Sequence, residues 1–319
     1  MRFIFKLFLG LVLIVVVAAA GFRGATFLRE GTYRFSDPAP GGSFVATDLG
    51  EVYVREAGPS DGVPVLLVHG SVGWSELWDD TSRALGDAGY RAISFDMPPM
   101  GYSEPDSKHD YNRTTQAARI DALARAMEIK PHLVAHSFGA GAAVEAAMRT
   151  QERFTSLVIV NGALGLEADP EKTLPLLLRP MWLREVAVSS TITNPLALKP
   201  LLRQFLHRKD TANGEVLEIL KQPFEVIGAT ENIAHWLPTL FVPPKDAMSM
   251  VPARYADLAL PTGIIWGRED TATPLAQGEA LHALIPGSQL LILDDIGHIP
   301  QIEGPAELQE ALVDLLGSF

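Results

Sequence analysis

Short, continuously apolar runs alternate with longer amphipathic segments through the middle of the chain. A continuous apolar run is typical of a parallel strand that is covered on both faces, and the periodicity between the runs indicates helices. The apolar runs lie at 63–69, 91–96, 131–136 and 155–161, and the helical segments lie at 75–89, 113–129 and 138–150. This alternation predicts an α/β fold with a doubly wound, mostly parallel sheet.

Further elements are predicted on either side of this pattern. Residues 43–57 contain two alternating runs around a turn at Asp48-Leu49-Gly50, which predicts a two-stranded ribbon. Apolar runs at 261–266 and 289–293 predict two more strands. Leucines at helical spacing within 305–316 predict a closing helix whose apolar stripe belongs to the core.

The alternation of strands and helices stops between the runs at 155–161 and 261–266. A structureless loop of this length would be unusual, so its helical runs between prolines predict a helical cap at 163–258, inserted between core residues 43–162 and 259–319. If some of the cap's large apolar side chains line a pocket, the substrate has an apolar portion. These side chains are Met181, Trp182, Phe205, Phe224, Trp236, Phe241, Met248 and Met250.

The N-terminal residues 1–24 form a separate apolar segment. Arg2 and Lys6 precede an uncharged stretch of about 16 residues, which as a helix would be about 24 Å long. This pattern predicts a membrane anchor formed by a single N-terminal helix, followed by a linker at 25–42. A cleavable signal segment ending near Ala18-Ala19-Ala20 is the alternative, and it would give a secreted or periplasmic protein.

Composition excludes several other classes of function. The net charge of −12 argues against a nucleic-acid partner, because phosphate binding needs a basic surface. The chain has no cysteine, so thiolate metal sites and disulfides are absent. None of its eight histidines forms an H-E-x-x-H motif, so we expect neither metal catalysis nor a cofactor.

Three residues that could form a catalytic triad follow predicted strands. Ser137 lies in Ala135-His136-Ser137-Phe138-Gly139, where a strand turns directly into a helix, as in a nucleophile elbow. Asp270 and His298 follow two later strands, and Glu269 is the nearest competitor for the acidic position. A histidine can take the proton of the serine hydroxyl, and a carboxylate can orient that histidine.

The order Ser, Asp, His and the surrounding motifs resemble the α/β-hydrolase superfamily. The match runs from about Gly42 to the C-terminus and includes the Val65–Ser71 segment, similar to the family's His-Gly loop, and the Asp96–Ser103 loop, in which Pro99 replaces the usual glycine. The resemblance implies a cap-containing, esterase- or lipase-like member. It also implies an oxyanion hole formed by the backbone N–H groups of Ser71 and Phe138. His69 is better interpreted as a loop residue that hydrogen-bonds the backbone than as a catalytic base.

These features predict a serine hydrolase that cleaves a carboxylic ester or similar carbonyl substrate through an acyl-enzyme intermediate. A serine at the elbow excludes the relatives that place an aspartate there, such as dehalogenases and epoxide hydrolases. Carbon–carbon bond hydrolysis and thioester cleavage with the same residues are the alternatives, since one fold hosts many reactions. A non-catalytic binding protein of this fold is a further alternative. The expected partners are a small apolar substrate and, through the N-terminal segment, a membrane.

Overall fold

The computed structural model describes residues 2–31, 41–168 and 171–319. Residues 32–40, which make up much of the linker predicted at 25–42, lie outside the described residues.

One sheet of eight strands forms the centre of the described chain. The strands are β1 (Ser43–Thr47), β2 (Gly50–Ala57), β3 (Val63–Val68), β4 (Tyr90–Phe95), β5 (His132–His136), β6 (Ser156–Val160), β7 (Thr262–Gly267) and β8 (Gln289–Leu293). Their order across the sheet is β1-β2-β4-β3-β5-β6-β7-β8. The pairs β1–β2 and β2–β4 are antiparallel, and all other neighbouring pairs are parallel.

Helices flank the sheet and fill the long segment between β6 and β7. They are α1 (Arg2–Arg29), α2 (Asp79–Asp87), α3 (Arg113–Ala126), α4 (Ser137–Arg149), α5 (Met181–Ser190), α6 (Pro195–Phe205), α7 (Gly214–Lys221), α8 (Ala229–Trp236), α9 (Leu275–Leu284), α10 (Pro300–Glu303) and α11 (Pro305–Ser318). Short 3₁₀ helices occur at Ser75–Trp78, Gln151–Arg153, Leu176–Leu178, Lys209–Thr211, Gln222–Glu225, Leu237–Leu240, Met248–Met250 and Pro252–Asp257.

Alternate residues of the central strands contribute to two separate apolar layers. In β3, Leu66 and Val68 join the cluster that contains α3, α4 and α9, whereas Val65 and Leu67 join the cluster that contains α2 and α11. Both faces of the sheet are therefore covered, which explains why its strands are continuously apolar. The predicted mostly parallel α/β sheet is confirmed.

The segment between β6 and β7 has an apolar core of its own. Buried residues of α5 to α8, including Leu198, Leu220 and Trp236, pack together with Met100 and Tyr111 from the loop after β4. This cluster attaches the inserted segment to the loops that follow the strands, where ligands bind in sheets of this type.

The prediction of a membrane-spanning N-terminal helix is wrong. Among the described residues, no helix combines the length and the apolar character that a bilayer crossing requires. The uncharged stretch is shorter than the roughly 20 residues that span a hydrocarbon core, and α1 continues past it with polar residues that bind the inserted segment. Arg23 donates to Glu185 on α5 at 3.0 Å. The predictions of a membrane partner and of a membrane-anchored location relied on this helix, and they are wrong as well.

The residue that follows α1, Glu30, caps helix α8. Its Oε1 accepts a hydrogen bond from the backbone N–H of Thr230 at 2.8 Å, and both residues are buried. The helix's own N-cap residue is Gly228, which has no side chain to accept such a bond. A carboxylate at a helix N-terminus also interacts favourably with the helix dipole.

Replacing Glu30 by alanine is expected to lower the free energy of unfolding by about 1–2 kcal/mol, because a buried N–H group loses its acceptor. Urea denaturation of the full chain measures the change. Glu30→Gln retains an acceptor oxygen and should recover part of the loss. Glu152→Ala, at an exposed position of the core, is the matched control. Equal stability of Glu30→Ala and Glu152→Ala would contradict a capping role.

Candidate active site

Ser137 stands at the turn between β5 and α4. Its φ of 51° lies in the left-handed region, where a residue with a side chain is strained. The tight turn brings α4 against the loop after β3, and a Cβ atom at Gly139 would lie 2.2 Å from the carbonyl oxygen of His69. Only glycine fits there, which explains the small residues of the elbow.

The structure brings Ser137, His298 and Asp270 together in one chain of hydrogen bonds. The Oγ atom of Ser137 lies 2.7 Å from Nε2 of His298. On the other side of the ring, Nδ1 of His298 lies 2.8 Å from Oδ2 of Asp270. An ionised carboxylate can only accept, so Nδ1 carries the proton and Nε2 is free to accept the serine hydroxyl proton.

Asp270 is held in its ionised form by its neighbours. Its Oδ2 accepts hydrogen bonds from Asn161 Nδ2 at 2.5 Å and from Thr273 Oγ1 at 2.7 Å, and its Oδ1 accepts from the backbone N–H groups of Ala272 and Thr273. Burial raises the pKa of this carboxyl, but the bonds from His298, Asn161 and Thr273 outweigh burial and leave the pKa below its ordinary value.

The competing acid, Glu269, is exposed to solvent, whereas Asp270 is 4% exposed. The geometry therefore brings Asp270, not Glu269, to the histidine.

His136, directly before the nucleophile candidate, was not singled out by the sequence. Its Nε2 lies 2.8 Å from the backbone carbonyl of His298, to which it donates, and its side chain is buried. Burial, together with the nearby His298, lowers the pKa of His136 to about 3, so this imidazole is neutral at ordinary pH. His136 therefore connects the end of β5, directly before Ser137, to the loop that carries His298.

The loop after β3 lies directly beside the nucleophile candidate. A Cβ atom added to Gly70 would be 3.0 Å from Cβ of Ser137, which places the neighbouring Ser71 at the same cavity. Phe138 is the second residue of α4, and backbone N–H groups in the first turn of a helix have no partner within the helix. Both predicted oxyanion residues therefore line the space in front of Ser137.

His69 makes two hydrogen bonds to the backbone. Its Nδ1 lies 2.8 Å from the carbonyl oxygen of Gly70, and its Nε2 accepts from the N–H of Met97 at 2.9 Å. Burial lowers the pKa of His69 to about 4. It thus joins the loops after β3 and β4, in agreement with its interpretation as a loop residue.

A cavity of about 370 Å³ opens in front of Ser137 and His298. Its wall is mostly aliphatic, and within the described residues no Asp, Glu, Lys or Arg lines it. Of the eight apolar cap residues named from the sequence, Phe205 lines this cavity, and Phe224 and Trp236 instead lie in the segment's own core. The inserted segment lines the cavity with Ile192, Leu198, Leu201, Leu202, Phe205, Leu220 and Leu240.

A serine at a strand-to-helix turn, linked through a histidine to an aspartate, is the arrangement of the α/β-hydrolase class. A family model described as alpha/beta hydrolase fold matches residues 63–305, more than half of the chain. The chain therefore belongs to this family, and the predicted resemblance is confirmed.

Relatives and solved structures agree with this membership. A 2-hydroxy-6-oxononadienedioate/2-hydroxy-6-oxononatrienedioate hydrolase of Pseudomonas putida is 28% identical over 263 residues, which cover 79% of this chain and 87% of the relative. A 2-hydroxymuconate semialdehyde hydrolase of a Pseudomonas species is 28% identical over 258 residues, which cover 80% of this chain and 87% of that protein. A meta-cleavage product hydrolase structure from Pseudomonas fluorescens has a TM-score of 0.71 and 25% identity, with 87% of this chain and 98% of that chain covered.

The fold extends to more distant structures as well. A bacterial membrane phospholipase A has a TM-score of 0.69 and 20% identity, with 99% of this chain and 98% of that chain covered, which shows a common fold alone. The relatives are named hydrolases, so the protein is identified as an enzyme of this class.

Proposed function

We propose that the protein is a serine hydrolase in which Ser137 is the nucleophile, His298 the general base and acid, and Asp270 the residue that orients the histidine. The observation that carries this proposal is the unbroken hydrogen-bond chain from Ser137 Oγ through His298 to Asp270, at 2.7 and 2.8 Å. A short bond from the hydroxyl to an imidazole nitrogen that can accept its proton supports activation of that hydroxyl.

The reaction proceeds in two acyl transfers. Nε2 of His298 takes the proton of Ser137 while Oγ bonds to the substrate carbonyl carbon. The bond to the leaving group then breaks, and that group takes the proton from Nε2. Water then attacks the acyl carbon and gives a proton to Nε2 of His298. The bond between the acyl carbon and Oγ breaks, Oγ takes the proton back from Nε2, and the carboxylic acid is released. The backbone N–H groups of Ser71 and Phe138 are assigned the oxyanion in each half, because both residues line the cavity in front of Ser137.

The substrate that this cavity supports best is an uncharged ester with an apolar acyl or alcohol part. The lining contributes aliphatic contacts and no cationic side chain among the described residues. A carboxylate bound deep in such a cavity would lose its hydration without gaining a charged partner, which costs free energy. We assign residues 163–258 as the cap that encloses this substrate, with residues 43–162 and 259–319 as the catalytic core.

Carbon–carbon bond hydrolysis is the second candidate, and the names of the sequence relatives favour it. In this reaction Ser137 attacks a ketone, the adjacent carbon–carbon bond breaks, and the released carbanion takes the proton from His298. The substrates named for those relatives carry carboxylates, so the two candidates make different demands on the cavity.

A substrate series tests the proposal and separates the candidates. Purified protein is assayed with p-nitrophenyl esters of graded acyl length, with a neutral diketone and with a 2-hydroxy-6-oxo-dienoate. Ester cleavage is supported if the esters have the highest kcat/KM, and the second candidate replaces it if the dienoate does. Absence of turnover in all three series, together with no labelling of Ser137 by a fluorophosphonate, would contradict a serine hydrolase.

Enlarging a wall residue of the cavity should change acyl-length selectivity. Leu202 on α6 is 5% exposed and lines the cavity, so Leu202→Trp should lower the octanoate-to-acetate ratio of kcat/KM by about 10-fold or more. Leu196→Trp, on the same helix at a position 83% exposed, is the matched control and should keep the wild-type ratio. An unchanged ratio in folded Leu202→Trp would show that the acyl group binds elsewhere.

A further inference from the structure

Three side chains with metal-ligating atoms meet at a junction between the core and the inserted segment. His109 lies on the loop between β4 and α3, and Glu231 and His235 lie four residues apart on α8, hence on one face of that helix. One ligand atom from each residue lies within 4.8 Å of the others. The imidazoles of His109 and His235 are stacked, with ring centroids 3.7 Å apart and an interplanar angle of 6°.

We propose that His109, Glu231 and His235 bind one divalent transition-metal ion of the zinc type. Three atoms within 4.8 Å of one another leave a central point within about 2.8 Å of each, so side-chain shifts of about 0.7 Å would give the 2.0–2.1 Å bonds of zinc. Binding also requires the two rings to rotate out of their parallel stacking, because an imidazole nitrogen binds a metal in the plane of its ring. Two imidazole nitrogens and one carboxylate oxygen suit zinc, copper or nickel, whereas magnesium and calcium prefer oxygen ligands alone.

The local electrostatics are compatible with such an ion. Imidazoles ligate metals in the neutral form, so protons compete with the ion for His235. Arg184 also repels a cation, and the carboxylates of Glu231 and Glu185 act in the opposite direction. Glu231 is exposed, so water can complete the coordination shell.

The position of the site gives the ion a structural role. Helix α8 also carries Asn232, which accepts a hydrogen bond from Tyr111 of the same core loop, and Trp236, whose ring packs edge-on against Phe138 at 5.3 Å. A metal bound by residues of the loop and of α8 would connect them a second time, in addition to the bond between Tyr111 and Asn232. The site takes no part in the reaction of Ser137.

Zinc titration of the full chain, without an affinity tag and after treatment with a chelator, tests the proposal by isothermal calorimetry and thermal unfolding. We expect one zinc ion per chain and a rise in Tm of about 3 °C or more at saturation. His109→Ala and His235→Ala should each bind zinc at least about 10-fold more weakly and lose the Tm rise. Glu231→Gln, at an exposed position, should weaken binding without disturbing the fold.

His282→Ala is the matched control, because His282 is a histidine on α9 outside the cluster. It should bind zinc as the wild type does. The proposal is overturned if the wild type takes up no zinc at a defined stoichiometry. It is equally overturned if His109→Ala, His235→Ala and Glu231→Gln all retain wild-type affinity, because the ion would then bind elsewhere.

Discussion

Replacing Ser137 by alanine is expected to lower kcat/KM for a neutral ester by roughly 10⁵- to 10⁶-fold. The residues of such a triad act as a unit, so loss of the nucleophile removes most of their combined effect and leaves what the oxyanion donors and binding supply. The 2.7 Å bond from Oγ to His298 is the geometry on which this expectation rests. Steady-state hydrolysis of p-nitrophenyl esters, with fluorophosphonate labelling as a second readout, measures the loss.

Ser71→Ala is the matched control for this variant. Ser71 lines the same cavity, but only its backbone N–H is assigned a role, so removing its hydroxyl should change kcat/KM by less than about 3-fold. Wild-type turnover by folded Ser137→Ala, or equal losses in the two variants, would remove Ser137 from the mechanism.

Replacing Asp270 by asparagine is expected to lower kcat by about 10⁴-fold. The amide nitrogen of asparagine can donate to Nδ1 of His298 and would then favour the tautomer with its proton on Nε2, which cannot accept the serine proton. The loss should appear in kcat with little change in KM, because Asp270 lies behind His298 and does not line the cavity. Initial rates over a range of ester concentrations separate the two parameters.

Glu269→Gln provides the comparison for Asp270→Asn. The neighbouring carboxylate is exposed, and Nδ1 of His298 is bound by Asp270 instead, so loss of the Glu269 charge should leave kcat within about 2-fold of the wild type. A larger loss in Glu269→Gln than in Asp270→Asn would reassign the acidic position.

The sequence predicts the sheet because each of its strands is marked by a local pattern. Continuous apolar runs identify strands covered on both faces, and the parallel strands place their carboxyl ends on one edge. Residues at or shortly after those strand ends, such as Ser137, Asp270 and His298, are then expected to converge. Chain order and strand ends are sufficient for this inference, and no long-range contact has to be known.

Residues that act through distant partners could not be found in this way. Asn161 and Thr273 donate hydrogen bonds to Asp270, and His136 donates one to the backbone carbonyl of His298. In the sequence, however, each is a residue type that is common at turns, helix starts or strand ends. Their roles follow from which loops meet at the edge of the sheet. The strand-end position of Asn161, directly after β6, was the available signal.

The sequence did not identify which apolar residues line the cavity. Most of the large aromatic and methionine side chains of the inserted segment were predicted to form its own core, with a minority at the pocket. Phe205 lines the cavity, Phe224 and Trp236 lie in that core, and leucines of α6 line the cavity as well. Helix α6 contacts both the core of the inserted segment and the cavity. Leucines occur on both sides of the helix, so the residue type alone does not show which of them line the cavity.

The buried bond between Glu30 and Thr230 links the start of the polypeptide to the catalytic centre. Helix α8 begins beside that carboxylate and ends at Trp236, whose ring touches Phe138 next to the nucleophile. A variant without residues 1–31 would lose this bond and would therefore differ from the full sequence at the helix that packs beside Phe138. Kinetic constants measured on such a shortened enzyme would be those of a protein in which helix α8 lacks its N-terminal cap.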